Sequence, residues 1–458
     1  MEISTQVVVV GAGIAGLVAA RRLTQRGIDT VVVEARDGVG GRLQNGELFD
    51  DVPIDVGGQW VGPGQHRVLA LLSELGLQTF PTHVAGRHLA EIGGKRVTYT
   101  GRIPRLSPRI LADLGQAQWR LDRTARRIAE RTDPWRDREA QHLDGQTFAS
   151  WVQRTARTAD GRAFFRLATQ ALFSAEPEDL SALWALHYIG AGGGLDSLIE
   201  TDGGAQQDRV VGGTVRIAEE LAAQLGPRVV LGSPVTDIAW DPAAGPAEPT
   251  GVTVSGPGTR VHAERAVIAL APTLAGRLRY SPLLPTDRDQ LTQRMPMGRV
   301  IKINVAYSEP FWRTAGFSGQ ANSDTRPMGT VFDNCLPGDD RGVLVGFLEG
   351  RHADAAARME PEQRRRAVLD DLAGYFGEQA RAPLAYLEKD WAAEEFSRGC
   401  YGAFGTPGTL TRFGPALRAA VGPLHWAGTE TARRFPGYID GAVESGERAA
   451  EEITAALG

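Results

Sequence analysis

The stretch "QVVVVGAGIAGLVAARRLTQRGIDTVVVE", residues 6–34, determines how the chain begins to fold. Its first five residues are dominated by valine without alternation, which is typical of a buried strand in a parallel sheet covered on both faces. Apolar residues with helical spacing follow from residue 14, Gly27 ends this predicted helix, and the run at 30–34 predicts a second strand. The stretch therefore predicts a strand–helix–strand unit.

Three glycines, Gly11, Gly13 and Gly16, occupy the turn and the helix start with G-x-G-x-x-G spacing. The first permits a tight turn, the second lets the backbone approach a pyrophosphate, and the third lets the helix pack closely on the sheet. The helix N-terminus adds unpaired N–H groups and the positive end of the helix dipole. Glu34 ends the second strand, where a carboxylate bonds ribose hydroxyls and repels a 2′-phosphate. The pattern predicts a dinucleotide site that disfavours NADP but does not separate NAD from FAD.

The composition indicates a globular protein with a small-molecule partner. The chain has 458 residues and 42% hydrophobic content, enough for two or three cooperating units. Its net charge of −5 gives no whole-molecule field that would attract nucleic acid or a membrane surface. Two cysteines cannot form a disulfide framework, and no secretion signal or long apolar run is visible. A soluble cytoplasmic protein is therefore expected.

A second glycine pair follows Glu34 and carries a family resemblance. Gly40 and Gly41 precede Arg42, which is suited to bidentate phosphate binding. The run E-x-R-x-x-x-G-G-R, which includes Arg36, and "DVGGQWVGPGQHRVLALLSELGL" at 55–77 resemble the flavin-containing amine oxidases, of which monoamine oxidases are the best-known members. The resemblance implies FAD, bound by these residues and by Gly58.

Two later segments resemble the same family. In "HWAGTETARRFPGYIDGAVESGERAAEEI" at 425–453, the resemblance implies that Gly428 and Glu430 lie near the ribityl and phosphate groups of FAD. In the segment 211–240 it implies that Val235 contacts adenine. The expected fold class is α/β, with a discontinuous Rossmann-like FAD-binding domain and a mixed α+β substrate domain. The expected boundaries are 1–80, 208–290 and 394–458 for the FAD-binding domain and 81–207 and 291–393 for the substrate domain.

The resemblance also implies the reaction site. An amine that gives up a hydride must be uncharged, so an apolar, aromatic pocket is expected. Tyr401 and Tyr438 match the aromatic cage of the family, and Lys302, inside a β-branched run, matches a lysine that holds a water at flavin N5. Trp60 and Trp391 match aromatic positions beside the flavin.

Two positions leave alternatives open. Gln206 matches a cavity-lining glutamine, but Gln207 beside it makes the register uncertain by one residue. Cys400 precedes Tyr401, as does the monoamine oxidase cysteine that forms a thioether to the flavin. Other members of the family lack this bond, so Cys400 is either bonded to FAD or only beside it.

The leading hypothesis is an FAD-dependent oxidase that converts a primary monoamine to an imine and then an aldehyde, reducing O₂ to H₂O₂. A diamine or polyamine would need a distant carboxylate, for which Asp196, Glu200 and Asp202 are candidates, and an L-amino acid would need an arginine such as Arg87. A nicotine-type cyclic amine also fits the family. An alternative of another class is a flavin-binding protein without amine oxidase activity.

Other functions find little support in the sequence. Histidines and cysteines show no metal-binding spacing, and no G-x-S-x-G motif occurs. Arginines and acids alternate over residues 102–138, which is typical of a solvated helix face and not of a nucleic-acid site. Dimers are common in the family, so a homodimer is a further expectation.

Overall fold

The computed structural model describes residues 1–49, 52–102, 106–131, 133–241 and 251–458. Within them the strands are β1 (Glu2–Val10), β2 (Thr30–Val33), β3 (Asn45–Phe49), β4 (Val52–Asp55), β5 (Trp60–Val61), β6 (Thr79–Pro81), β7 (Arg87–Ile92), β8 (Lys95–Tyr99), β9 (Asp208–Val210), β10 (Val229–Val230), β11 (Asp237–Trp240), β12 (Val252–Gly256), β13 (Thr259–Ile268), β14 (Arg279–Ser281), β15 (Val300–Tyr307), β16 (Phe317–Ser323), β17 (Met328–Asp333), β18 (Gly342–Glu349), β19 (Ala385–Asp390) and β20 (Leu424–Trp426).

The helices of the described residues are α1 (Ile14–Gln25), α2 (His66–Glu74), α3 (Pro108–Ala129), α4 (Ala140–Asp144), α5 (Phe148–Thr155), α6 (Ala159–Phe173), α7 (Ala182–Ala191), α8 (Leu195–Ile199), α9 (Val215–Leu225), α10 (Pro272–Ala275), α11 (Thr286–Gln293), α12 (Phe311–Thr314), α13 (Arg351–Ala357), α14 (Pro361–Phe376), α15 (Leu410–Phe413) and α16 (Ile439–Leu457). None of them is long and apolar enough to cross a membrane.

The first large sheet has the order β10-β2-β1-β13-β12-β11-β14, with β20 also paired to β13. Strands β10, β2, β1 and β13 of this sheet run parallel to one another, and β20 also pairs in parallel with β13. The valines of β1 are buried on both faces: Val7 and Val9 pack with α1, α9 and α16 on one side, and Val8 and Val10 belong to a second buried cluster on the other. The predicted strand–helix–strand unit is thus β1, α1 and β2.

The second large sheet has the order β19-β15-β18-β17-β16-β7-β8. All neighbouring strands within this sheet are antiparallel, except β16 and β7, which are parallel to each other. Strand β15 lies inside this sheet and is buried along its whole length, so Lys302 is not at a sheet edge. This arrangement holds a charged side chain in the interior.

The two large sheets together confirm the α/β fold class with a second, mixed unit. The strands of the first sheet come from residues 2–33, 229–281 and 424–426, and those of the second from residues 87–99 and 300–390. The exact domain boundaries stay a prediction.

One local expectation is wrong. The acids of residues 102–138 were expected on a solvated helix face, yet Asp113 in α3 is buried. Its carboxylate accepts hydrogen bonds from the backbone N–H groups of Arg157 and Thr158, just before α6. The Asp113 carboxylate is therefore buried because it accepts hydrogen bonds from the backbone just before α6, far along the chain from α3. Residues 103–105 and 132 of the same stretch lie outside the described residues.

Candidate active site

A cavity of about 810 Å³ is lined by residues of both large sheets. Most of the predicted site residues line it, namely Gly11, Gly13, Glu34, Arg36, Gly40, Gly41, Arg42, Gly58, Trp60, Gln206, Val235, Lys302, Cys400, Tyr401, Gly428 and Tyr438. Gly16, Trp391 and Glu430 are not among the lining residues and lie behind the wall. The fold thus brings residues from four distant parts of the chain to one cavity.

The glycine-rich turn forms one wall. Gly11 has φ +103°, a conformation that favours glycine, and α1 begins three residues later without a side-chain cap. A Cβ atom at Gly16 would collide with the carbonyl oxygen of Gly11, so this glycine permits the close contact of α1 with the turn. Gly13 faces Gly41 across the cavity wall, since a Cβ atom on Gly13 would stand 3.9 Å from the Gly41 Cα. The open N-terminus of α1 and the two bare backbones suit a pyrophosphate.

Glu34 is held in the wall by backbone donors. Its carboxylate accepts hydrogen bonds from the Ala12 N–H at 2.7 Å and the Arg36 N–H at 3.0 Å, and the side chain is buried. Val235 lines the same cavity from the loop after β10. Together they form a surface suited to an adenosine group beside the glycine turn.

An ion pair ties the first part of the chain to the last. The Arg42 guanidinium donates to both carboxylate oxygens of Glu430, at 2.6 and 3.2 Å, and to the Tyr401 carbonyl oxygen at 2.9 Å. Burial opposes ionisation of Glu430, but Arg42 and the Ala403 N–H hold its pKa below the ordinary value. Glu430 therefore positions Arg42 instead of lining the cavity itself.

Lys302 of β15 lines a second part of the cavity, beside the aromatic residues described below. Only 3% of its surface is exposed. Its Nζ donates to the Gly57 carbonyl oxygen at 2.8 Å and to the Gln59 Oε1. Burial lowers the pKa of Lys302 to about 7, although Asp55 acts in the opposite direction. Lys302 can therefore exist as ammonium or amine near neutral pH.

Aromatic rings surround this part of the cavity. Trp60 lies 5.1 Å from Phe332 and 5.9 Å from Phe347 between ring centroids, and Phe347 lies 6.2 Å from Tyr401. On another side the rings of Tyr438 and Tyr188 are 5.8 Å apart. All of these side chains line the cavity, which gives it an apolar end beside Lys302.

Cys400 is buried in the same wall, in one apolar cluster with Trp391. Burial raises the pKa of the Cys400 thiol to about 12. Trp391 is fully covered, and its Nε1 donates to the Val56 carbonyl oxygen at 2.8 Å. Trp391 therefore supports the wall from behind.

The remaining candidates for substrate contacts differ in whether they line the cavity. Gln206 lines the cavity and Gln207 does not, and the Gln206 Nε2 donates to the Leu198 carbonyl oxygen at 2.9 Å. Among the three carboxylates considered for a second ammonium, Glu200 lines the cavity, whereas Asp196 and Asp202 do not. Arg87 also lies elsewhere, with its guanidinium against the Phe317 ring and the Ala315 carbonyl oxygen.

The residues present fit FAD. The glycine turn, the α1 N-terminus and Glu34 form a cradle for a dinucleotide, and the aromatic end beside Lys302 is continuous with it in one cavity. Trp60 Nε1 and Gln206 Oε1 are buried there without hydrogen-bond partners among the described residues. Buried polar atoms normally have partners, so both fit a site that a ligand completes. No group of His, Cys, Asp or Glu suited to a metal occurs in the described part of the chain.

Two residues of the site, Gln59 and Glu349, were not predicted and carry only weak signals in the sequence. Gln59 lies inside the quoted motif at 55–77, but its bond to Lys302 depends on the packing of β15. Glu349 ends the apolar strand β18, and its carboxylate accepts a hydrogen bond from the Tyr401 hydroxyl at 2.9 Å. A polar residue at the end of an apolar run was the only available sign for Glu349.

Comparisons with known proteins agree with this geometry. A model of the family described as flavin containing amine oxidoreductase matches residues 14–454. The putative flavin-containing monoamine oxidase AofH of Mycobacterium tuberculosis is 43% identical over 454 residues, which are 99% of this chain and 97% of that protein.

Two solved structures are similar over the whole chain. Wild-type putrescine oxidase bound to putrescine superposes with a TM-score of 0.94 at 34% identity, covering 99% of this chain and 100% of that chain. Cyclohexylamine oxidase from Brevibacterium oxydans IH-35A superposes with a TM-score of 0.93 at 32% identity, covering 99% of both chains. The chain thus belongs to the flavin-containing amine oxidoreductase family and is a flavin-dependent amine oxidase whose cofactor is FAD.

Proposed function

We propose that this enzyme oxidises a primary monoamine to an imine, which water hydrolyses to an aldehyde, while O₂ is reduced to H₂O₂. The observation that carries the proposal is the buried Lys302 at an apolar, aromatic end of the cavity. FAD, when bound, supplies the redox chemistry, and the protein supplies binding, orientation and electrostatics.

The apolar wall supports an amine that reacts in its neutral form. Neutralising an alkylammonium of pKa ~10.4 at pH ~7 costs about 4.6 kcal/mol in water. Phe332, Phe347 and Trp60 surround the Lys302 end with rings, and Phe164 and Ile199 line the cavity elsewhere. Such surroundings disfavour a charged nitrogen and accommodate an aromatic or aliphatic tail.

Roles for individual residues follow as proposals. Tyr401 and Tyr438 orient the substrate nitrogen, and Lys302 acts beside the reacting carbon and nitrogen. Gly13, Gly41 and Arg42 hold the phosphates of FAD, Gly428 and Gly58 border it, and Val235 contacts its adenine.

A second candidate substrate is a diamine. Glu200 lines the cavity, and its carboxylate makes no hydrogen bond or ion pair with the described residues. Burial raises the pKa of Glu200, while Arg102 acts in the opposite direction. A second ammonium group of the substrate would supply the missing partner.

A panel of amines distinguishes these substrates. The purified protein should be yellow, and peroxide should form fastest with primary monoamines that carry an aromatic or aliphatic tail. A higher kcat/KM for diamines, reduced by Glu200→Gln but not by Asp202→Asn, would favour the second candidate. A colourless protein, or a yellow one that produces no peroxide with any amine, would contradict the proposal.

Two wider proposals accompany this function. A cytoplasmic location is supported by the small number of cysteines, Cys335 and Cys400, which are both free thiols. A homodimer is proposed from the family resemblance.

A further inference from the structure

Three buried side-chain amides lead away from Lys302 in a single row. Lys302 Nζ donates to Gln59 Oε1, and Gln59 Nε2 donates to Asn334 Oδ1 at 2.9 Å. Asn334 Nδ2 donates to Asn304 Oδ1 at 2.8 Å, and Asn304 Nδ2 donates to the Asp55 carbonyl oxygen at 3.3 Å. We call Gln59, Asn334 and Asn304 the amide row. All three are fully or almost fully buried.

The far end of the amide row fixes its direction. The Asp55 carbonyl oxygen only accepts hydrogen bonds, so Asn304 must turn its Nδ2 toward it and its Oδ1 toward Asn334. Asn334 must then donate to Asn304 and accept from Gln59. Gln59 therefore presents its acceptor oxygen to Lys302, whether Lys302 is charged or neutral.

Two of the three free positions on the Lys302 nitrogen are thereby committed to N–H donation. One N–H faces the Gly57 carbonyl oxygen and another faces Gln59 Oε1. The nitrogen has no third hydrogen-bond partner among the described residues, and Lys302 lines the cavity. The third position therefore carries an N–H in the ammonium and a lone pair in the neutral amine.

We infer that Lys302 accepts a proton from the ammonium group of the incoming substrate, and that the amide row positions its lone pair for this transfer. The inference rests on the proposed function, because it concerns how the amine substrate becomes neutral. An N–H bond of the substrate breaks, an N–H bond forms on Lys302, and no electron is transferred between the two molecules. Gln59, Asn334 and Asn304 are positioning residues.

The charges around Lys302 are consistent with this role. Burial lowers the pKa of Lys302 to about 7, Asp55 and Cys400 act to raise it, and Arg209 acts to lower it. Lys302 is thus mostly neutral at mildly alkaline pH, when a free alkylammonium is still charged. The same apolar cavity lowers the pKa of the bound substrate ammonium, which brings it closer to the pKa of Lys302 than the pKa of a free alkylammonium is.

Proton release on binding of an unreactive amine tests the inference without turnover. The probe is 2-methyl-1-phenylpropan-2-amine, which has no hydrogen on the carbon that bears nitrogen and therefore cannot lose a hydride. It is titrated calorimetrically into the oxidised holoenzyme at about pH 8.5, in two buffers of different ionisation enthalpy. The difference in heat between the buffers gives the number of protons released.

The wild-type holoenzyme should release almost no proton, because the proton passes from the probe to Lys302. Lys302→Met should release about one proton, since only the neutral amine then binds. Asn334→Leu should release an intermediate fraction, because Gln59 is free to turn. Gln65→Leu removes a buried amide outside the amide row, whose atoms have no hydrogen-bond partner among the described residues, and should match the wild type.

Release of one proton by the wild type would overturn the inference, and so would absence of release by Lys302→Met, because the probe would then bind as the ammonium without any transfer to Lys302. Failure of the wild-type holoenzyme to bind the probe would overturn it as well. An Asn334→Leu result equal to wild type would refute the positioning role of the amide row. If Asn334→Leu does not retain FAD, Asn304→Leu interrupts the row at the next residue. Because no turnover is measured, a failure of the proposed oxidase activity remains separable from a failure of this inference.

Discussion

The Tyr401 hydroxyl donates a hydrogen bond of 2.9 Å to Glu349, whose side chain is only 3% exposed. Glu349 ends β18, whereas Tyr401 follows Cys400 in the cavity wall. The bond therefore holds the ring of a cavity-lining tyrosine from behind, through a residue of the second large sheet.

Loss of this bond should impair catalysis without loss of the cofactor. We expect Glu349→Leu to lower kcat/KM about tenfold, or about 1.4 kcal/mol, because the Tyr401 ring loses its fixed orientation. Glu349→Gln retains an acceptor oxygen and should stay within about threefold of the wild type. Steady-state kinetics with a flavin count per protein provides the comparison. Equal activity of the two variants would exclude an orienting role.

Glu349 should also make stability depend on pH. Burial raises its pKa to about 7 from an ordinary 4.5, so between these values the folded state holds a proton that the unfolded state releases. The free energy of unfolding should therefore fall as the pH rises through this window, by up to about 3 kcal/mol. Thermal unfolding at about pH 5 and about pH 7.5 should show a smaller decrease for Glu349→Gln than for the wild type. Parallel decreases would show that Glu349 does not titrate in this way.

Gly16→Ala should abolish FAD retention. Its Cβ atom would collide with the Gly11 carbonyl oxygen and displace the start of α1 from the glycine turn. Gly115→Ala is the matched control, because Gly115 lies in helix α3 with no atom within 4 Å of the added Cβ. It should stabilise the protein by about 0.5–1 kcal/mol and keep all the flavin. The absorption of the purified proteins and their melting temperatures measure both effects.

Glu430→Gln should destabilise the holoenzyme. The change leaves the Arg42 guanidinium without its ionic partner, which costs about 3 kcal/mol for a buried pair. Glu219→Gln, in an exposed pair with Arg216, should change the free energy of unfolding by less than about 0.5 kcal/mol. Denaturant unfolding and flavin release on gel filtration are the measurements. Similar small losses in both variants would contradict the joining role of the Arg42–Glu430 pair.

The sequence leaves open whether Cys400 carries FAD as a thioether or only lies beside it, and the environment of Cys400 predicts how such a bond would form. With the thiol pKa raised to about 12, the reactive thiolate is rare at neutral pH, so attachment should be slow and should speed up at alkaline pH. Acid precipitation of the mature enzyme should leave the yellow colour in the pellet, whereas Cys400→Ala should release it. Colour entirely in the wild-type supernatant would show that the cysteine is only a neighbour.

The local parts of the fold were predictable, and the long-range polar contacts were not. The valine run of β1 and the spacing of Gly11, Gly13 and Gly16 determine the first turn from neighbouring residues alone. Glu430 lies in a family motif, but nothing around it in the sequence indicates that its carboxylate pairs with Arg42, 388 residues away. Such a pair leaves no periodicity in either segment.

Buried polar residues were the hardest to predict for the same reason. In the sequence Asn334 and Glu349 are ordinary polar residues, one directly after strand β17 and the other at the last position of β18. Their functions depend on Gln59 and Tyr401, which come from other parts of the chain. The family resemblance indicated Lys302 as a site residue, but it did not indicate the amide row that holds it.

Anaerobic mixing of the yellow holoenzyme with a primary monoamine tests most directly whether this cavity oxidises amines. The visible flavin absorption should be lost, and it should return with one H₂O₂ per amine when O₂ is admitted. Lys302→Met should slow one of these two half-reactions about tenfold or more. A flavin that dithionite bleaches but that no amine changes would contradict the proposed function.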